Sequence, residues 1–139
     1  MPRLDEHEAR RRLTEAPVLR MATVDEAGRP HLVVAVFAAD GDLVRMAVDH
    51  KPKRTRDLKR LRNIAANPAV SLLADHYEDD WTRLWWVRAD GRATVTGDPA
   101  EVETTARLLA ARYPQYREHP PEGPAVLVEV RRWAGWIYE

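Results

Sequence analysis

Apolar and polar positions follow two periods along the chain, and the switches between them mark the elements. Leu4 to Glu15 reads as a short helix, with Asp5 as N-cap, Glu8 at the third position in a variant of the capping box, and Pro17 as its end. Val18–Val24 reads as a strand, closed by the turn residues Asp25-Glu26-Ala27-Gly28. Pro30 to Ala39 is apolar almost without interruption, the pattern of a strand buried on both faces. Asp40-Gly41-Asp42 signals a tight hairpin, and Leu43–Val48 returns as a third strand. Three strands with short polar links predict an antiparallel meander, because a parallel pair needs a helical crossover and none fits here.

The helical period then takes over. Leu58, Leu61, Ile64 and Ala65 form a narrow stripe within Thr55–Asn67, which Asn67-Pro68 stops. Ala69–Ala74 reads as a strand, His76–Asp80 as a polar loop, and Leu84–Thr96 as a long strand broken by an Ala89-Asp90-Gly91 turn. Asp98-Pro99-Ala100-Glu101 predicts a helix start, with an N-cap, Pro at the first position and an acid at the third. Val102, Ala106, Leu109, Ala110 and Tyr113 then share a face. Pro120, Pro121 and Pro124 make a stiff loop before Ala125–Tyr138, a closing strand pair or one bent strand. About six strands and three inserted helices predict a mainly β fold. The expected architecture is a small six-stranded antiparallel barrel with flanking helices, in one domain over residues 1–139.

Composition narrows the chemistry. At 139 residues the chain is long enough for one domain and short for two. It has no cysteine, which removes disulfides, thiolate metal sites, iron–sulfur clusters and cysteine nucleophiles. The charged segment Met1–Arg12 is unlike a signal peptide, and the longest apolar run, Leu32–Ala39, is too short to span a bilayer. A soluble cytoplasmic protein is therefore expected. The 22 basic and 22 acidic residues balance, yet seven cations and one acid fall between Lys51 and Arg62. Such local concentration in a neutral chain points to an anionic ligand rather than to a polyanion such as nucleic acid.

Ser71, the single serine, sits in an apolar strand without a glycine-flanked elbow, which argues against serine hydrolase chemistry. The histidines His7, His31, His50, His76 and His119 show no metal-binding spacing. Asp75, His76 and Asp79 read as a solvated acidic loop sooner than as a chelate. No glycine-rich phosphate motif occurs. The stretch from Asp49 to Leu58 is more informative: a basic loop runs into a helix whose expected N-cap is Thr55. Free N–H groups and the positive dipole end there suit a phosphate or carboxylate. Trp81, Trp85 and Trp86 form a second cluster. On one strand Trp85 and Trp86 face opposite sides, and Trp81 shares the side of Trp85 if the strand extends that far. One side can enter the core; the other calls for a second subunit or a flat ligand.

Ala22-Thr23-Val24-Asp25 with Gly28-Arg29-Pro30-His31 resembles the opening of the pyridoxamine 5′-phosphate oxidase-like split barrels. So do Lys51–Leu58, Asn67-Pro68-Ala69-Val70-Ser71-Leu72 and Gly91-Arg92-Ala93. Asp75–Trp81 followed by Leu84-Trp85-Trp86-Val87-Arg88 is similar to the actinobacterial deazaflavin-dependent subgroup. The resemblance spans nearly the whole chain. It implies a homodimeric split barrel of the FMN-binding type, with two cofactor sites at the subunit interface. Lys51, Lys53, Arg54, Thr55 and Arg56 would hold the phosphate, and backbone at Val33–Val36 and Ala47–Asp49, including Val48, would run along the ring. Trp81 would approach from the second subunit, with Trp85 beside the site. No catalytic residue is singled out; His31, His50 and Tyr77 are proton donors by residue type alone. The implied activity is hydride transfer between coenzyme F420 and a small unsaturated organic substrate. The alternatives are an FMN-dependent oxidoreductase of the same fold and a non-catalytic flavin- or deazaflavin-binding protein.

Overall fold

The structure is a computed structural model that describes residues 3–48 and 59–139. Helix α1 (Glu6–Glu15) precedes strands β1 (Leu19–Val24), β2 (Pro30–Ala35), β3 (Ala38–Asp40) and β4 (Leu43–Ala47). Helix α2 (Lys59–Ala66), β5 (Ala69–His76), a 3₁₀ turn (Trp81–Arg83) and β6 (Trp85–Thr96) follow. Helices α3 (Pro99–Arg112) and α4 (Gln115–Glu118) lead into β7 (Ala125–Ile137). All strand pairs are antiparallel, in the order β2-β1-β5-β6-β7-β4-β3.

Connectivity closes this sheet. Laid flat, seven strands about 4.8 Å apart would hold β2 and β3 roughly 29 Å from each other. Only Val36 and Phe37 separate β2 from β3, and the step from Ala35 to Ala38 reaches about 10 Å at most. The sheet must curl until its edges meet at this corner. The result is a barrel that stays unpaired between β2 and β4, with Phe37, Leu19, Met21, Val44, Leu72 and Val128 fully buried inside.

Two helices fasten the barrel. The Asp5 carboxylate accepts from the Glu8 N–H at 2.8 Å, the cap that the sequence predicts, and α1 inserts Ala9 and Leu13 into the core. Its Arg10 bonds Asp42 at 3.0 Å and lies over the Trp133 ring, while Arg12 lies over Trp85. At the end of α3, Arg112 donates to the carbonyls of Phe37 (2.9 Å) and Ala16. The Tyr113 hydroxyl accepts from the Phe37 N–H at 3.2 Å and faces the carbonyls of Pro17 and Phe37 at 3.0 Å. The corner that closes the barrel is thus clamped from outside. Among the described residues, no helix is long and apolar enough to cross a membrane.

Several expectations change. The run Pro30–Ala39 is two strands, and β2 is an edge, with Leu32 68% and Val34 64% exposed. Among the described residues this gives seven strands where about six were expected. The expected break at Ala89-Asp90-Gly91 is a β-bulge inside a continuous β6. The register passes from Asp90↔Arg132 to Gly91↔Val130, leaving Arg131 as the extra residue of an unbroken β7. Glycine is required there because a Cβ on Gly91 would lie 2.3 Å from the Glu129 carbonyl oxygen. Among the described residues there are four α-helices rather than three. In α3 the buried residues are Thr105 and Leu109, and Asp98 makes no side-chain cap. Trp81 lies in the 3₁₀ turn, so it is not on the strand of Trp85.

Candidate functional site

Where the barrel stays open, a cleft of about 170 Å³ is lined by Val34, Ala35 and Val36 from β2 and its exit, and Met46 and Ala47 from β4. Met21 and Val126 also line it, with Arg60 of α2 and Tyr116 of α4. Among the described residues, the lining side chains are apolar except for the Arg60 guanidinium and the Tyr116 phenol. Such a slot suits a flat, mostly apolar ring with polar edges.

The rotation of α2 decides what faces this slot. Asn63 and Ile64 are its buried residues, and Arg60 shares their side at the spacing of one turn. Asn63 is 3% exposed, and its Nδ2 donates to Oγ1 of Thr23 on β1 (1% exposed) at 3.0 Å. Of the predicted stripe, Ile64 is buried and Leu61 packs against the core, Leu58 lies outside the described residues, and Ala65 is exposed, while the hydrogen-bonded pair Asn63–Thr23 is buried beside Ile64. At the start of α2, Lys59 reaches the Asp25 carboxylate at 3.6 Å. The Arg29 backbone N–H, the Arg29 guanidinium and the Ala27 N–H hold the Asp25 carboxyl at about 2, down from 3.8.

Of the residues expected around a cofactor, Asp49, Lys51, Lys53, Arg54, Thr55 and Arg56 lie outside the described residues, as does His50. Of the segments 33–36 and 47–48, Val34, Ala35, Val36 and Ala47 line the cleft and Val33 and Val48 do not. Val48 is buried and donates its N–H to the Pro124 carbonyl at 3.2 Å. Trp81 is 68% exposed, with Asp80 capping its turn. Trp85 is half-buried against the core beneath Arg12. Neither tryptophan lines the cleft within one chain. Among the proton donors by type, His31 is half-buried on β2, and Tyr77 is exposed. In the acidic loop, Asp75 pairs with Arg20 at 3.3 Å and His76 bonds Glu78. No group of three metal-ligating side chains forms among the described residues.

Two lining residues, Arg60 and Tyr116, escape the sequence reading as wall residues. Arg60 is legible only if Arg60, Asn63 and Ile64 are taken as one helical side. Tyr116 follows Pro114, which starts the short α4 in a stretch without hydrophobic period.

The family model for pyridoxamine 5′-phosphate oxidase matches residues 5–137. Among solved structures, the conserved hypothetical protein Rv2991 from Mycobacterium tuberculosis superposes with a TM-score of 0.79 at 19% identity, covering 96% of this chain and 85% of its own. An FAD-binding protein from Mesorhizobium loti gives 0.75 at 18% identity, covering 96% and 94%. HutZ, the heme storage protein from Vibrio cholerae, gives 0.67 at 18%, covering 94% and 90%. At these identities each likeness is one of fold. No curated protein matches the chain.

Proposed function

The chain belongs to the pyridoxamine 5′-phosphate oxidase family, and on that premise we propose that it is an oxidoreductase whose flavin-type cofactor lies in the split cleft. The observation that carries the reading is the cleft between β2 and the end of β4, where the described lining side chains are mostly apolar with the Arg60 guanidinium among them. The FAD-binding neighbour shares the fold, which is consistent with a ring seated at the split. When bound, the cofactor supplies the hydride; the protein binds, orients and shields.

Within this reading the cofactor is coenzyme F420 and the substrate a small unsaturated organic molecule. Val34–Val36, Ala47 and Val48 would border the ring, with Asp49 beyond them. Lys51, Lys53, Arg54, Thr55 and Arg56 would hold the phosphate. FMN carries one phosphate, which two or three donors satisfy. F420 continues from its phosphate diester through lactate into a chain of glutamates, and this polyanionic tail gives partners to the remaining cations between Lys51 and Arg62. The runner-up is an FMN-dependent enzyme, favoured by the FAD-binding neighbour. A third reading, storage of a bound ligand without turnover, is favoured by the heme storage neighbour.

The working unit in this proposal is a homodimer. Support comes from Leu32 and Val34, large apolar side chains on the outward side of an edge strand, and from exposed Trp81. A second copy covering them would remove an unpaired apolar edge from water and bring its Trp81 toward the cleft. Titration calorimetry at two salt concentrations, with light scattering on the same samples, tests the proposal. F420 is expected to bind more tightly than FMN, to weaken as salt rises, and to bind a dimer. Tight FMN binding indifferent to tail length promotes the runner-up, and a monomer mass at micromolar concentration overturns the shared site.

A further inference from the structure

We propose that the outer face of β6 and β7 carries a second ligand site, built by Trp86, Trp136, Arg3 and Arg132 and suited to a planar aromatic carboxylate. Of the adjacent tryptophans, Trp85 packs against the core, whereas Trp86 lines this pocket.

The pocket, of about 400 Å³, is lined by Arg3, Leu4, Trp86 and the stretch Arg132–Trp136. Trp86 and Trp136 are direct cross-strand partners. Each stands next to a buried residue, Val87 or Gly135, so alternation puts both rings on the outer face. Tyr138 meets Trp136 edge-on, with ring centroids 6.4 Å apart. The N-terminal segment completes the wall: the Leu4 N–H donates to the Gly135 carbonyl at 3.1 Å, and Arg3 bridges to Trp136. Glycine leaves room for this segment, because a Cβ on Gly135 would lie 3.0 Å from Leu4 Cδ1. The pocket shares no lining residue with the split cleft.

Its polar groups point to one class of ligand. Trp133 also lines the pocket, and Asp42 accepts from its indole N–H at 2.9 Å. The Trp136 indole N–H is buried, and no described residue accepts from it. Such a donor costs free energy that an acceptor brought into the pocket would recover. The charges are one-sided as well. Neither Arg3 nor Arg132 has a side-chain hydrogen bond or ion pair to a described residue. Every carboxylate of β5, β6 and β7 is already taken: Asp75 by Arg20, Asp90 by Ser71 and Arg88, and Glu129 by Arg131. Two guanidiniums beside indole rings disfavour an ammonium ligand and match a carboxylate, whose oxygens the planar fork can hold. The indoles supply the stacking surface for an attached aromatic ring. A second copy of the chain fits less well. A two-fold contact here would bury both cations with no free carboxylate on those strands to meet them.

The test titrates the isotopically labelled full chain with 2-naphthoate and reads the tryptophan indole N–H signals by NMR. Trp81→Phe, Trp86→Phe and Trp136→Phe each delete one signal and so assign it. 2-Naphthoate is expected to move the Trp86 and Trp136 signals in one saturable step and to leave the Trp81 signal in place. 2-Naphthylmethanol, the same ring without the charge, should bind about 10-fold more weakly, and Arg3→Met or Arg132→Met should each weaken 2-naphthoate about 3- to 10-fold. Arg131→Met, at the bulge and outside the pocket lining, should change Kd less than about twofold, as a screened surface charge does. Signals of Trp86 and Trp136 that stay fixed up to about 5 mM 2-naphthoate overturn the proposal, as does equal binding of 2-naphthylmethanol. Signals that move on dilution of the protein alone, and not with 2-naphthoate, assign this face to a second copy and overturn it too.

Discussion

Replacing Thr23 by Val removes one oxygen from the centre of the structure and changes little else in shape. The Oγ1 atom accepts from Asn63 Nδ2 at 3.0 Å, and both residues are at most 3% exposed. The substitution strands a buried amide donor, which costs about 1–3 kcal/mol. For a domain of this size 1 kcal/mol moves the melting temperature by about 4 °C, so a fall of roughly 4–12 °C is expected in thermal unfolding followed by circular dichroism. Thr23→Ser keeps the acceptor and should lose only the methyl contribution, on the order of 1 kcal/mol. Changing both partners, Thr23→Val with Asn63→Leu, should cost less than the two single losses added, because no polar atom is left orphaned. The bond also sets the rotation of α2, so Thr23→Val should loosen ligand binding at the cleft while Thr23→Ser preserves it. A Thr23→Val protein that melts with the wild type, or an additive double variant, would refute the assignment of this pair as the anchor of α2.

Other consequences follow from single contacts. Gly91→Ala forces a Cβ to within 2.3 Å of the Glu129 carbonyl, with backbone on both sides. It should destabilise the fold by about 1–3 kcal/mol or more in a urea titration, and a neutral result would contradict the close approach at the bulge. In acid, Asp25 is held at about 2 against its ordinary 3.8, and Asp42 is lowered by the Trp133 indole N–H and by Arg10. Depressed carboxyls add stability above their ordinary range and lose it as pH falls through the folded value. Urea midpoints should therefore drop between about pH 4 and pH 2, and less steeply in Asp25→Asn or Asp42→Asn. An acid limb that neither variant alters would exclude both groups.

What the sequence made legible was local. The Asp5 cap of α1 is a bond to a residue three positions on, and it forms where expected. Gly41, with φ +61 and no positive φ at Asp42, makes the two-residue turn that Asp40-Gly41-Asp42 signalled. The strands and their antiparallel pairing followed from alternation and short links. Illegible features depend on partners far along the chain. An apolar run reads alike whether neighbours bury both faces or, as for β2, leave Leu32 and Val34 outward. Gly91 looks like a turn residue until β7 is known to cross it. Arg60 carries the same side chain as its exposed neighbour Arg62, and what separates them is a bond between residues 40 positions apart. The clamp of Arg112 and Tyr113 on Phe37 is likewise formed between residues about 75 positions apart.

The account stands most directly on where the ring sits. A crystal structure of the chain grown with F420, and a parallel one with FMN, measures that. Ring density against Val34–Val36 and Ala47 is the expected result. Density for the ring anywhere else on the barrel, or a split cleft left empty at saturating cofactor, would contradict it.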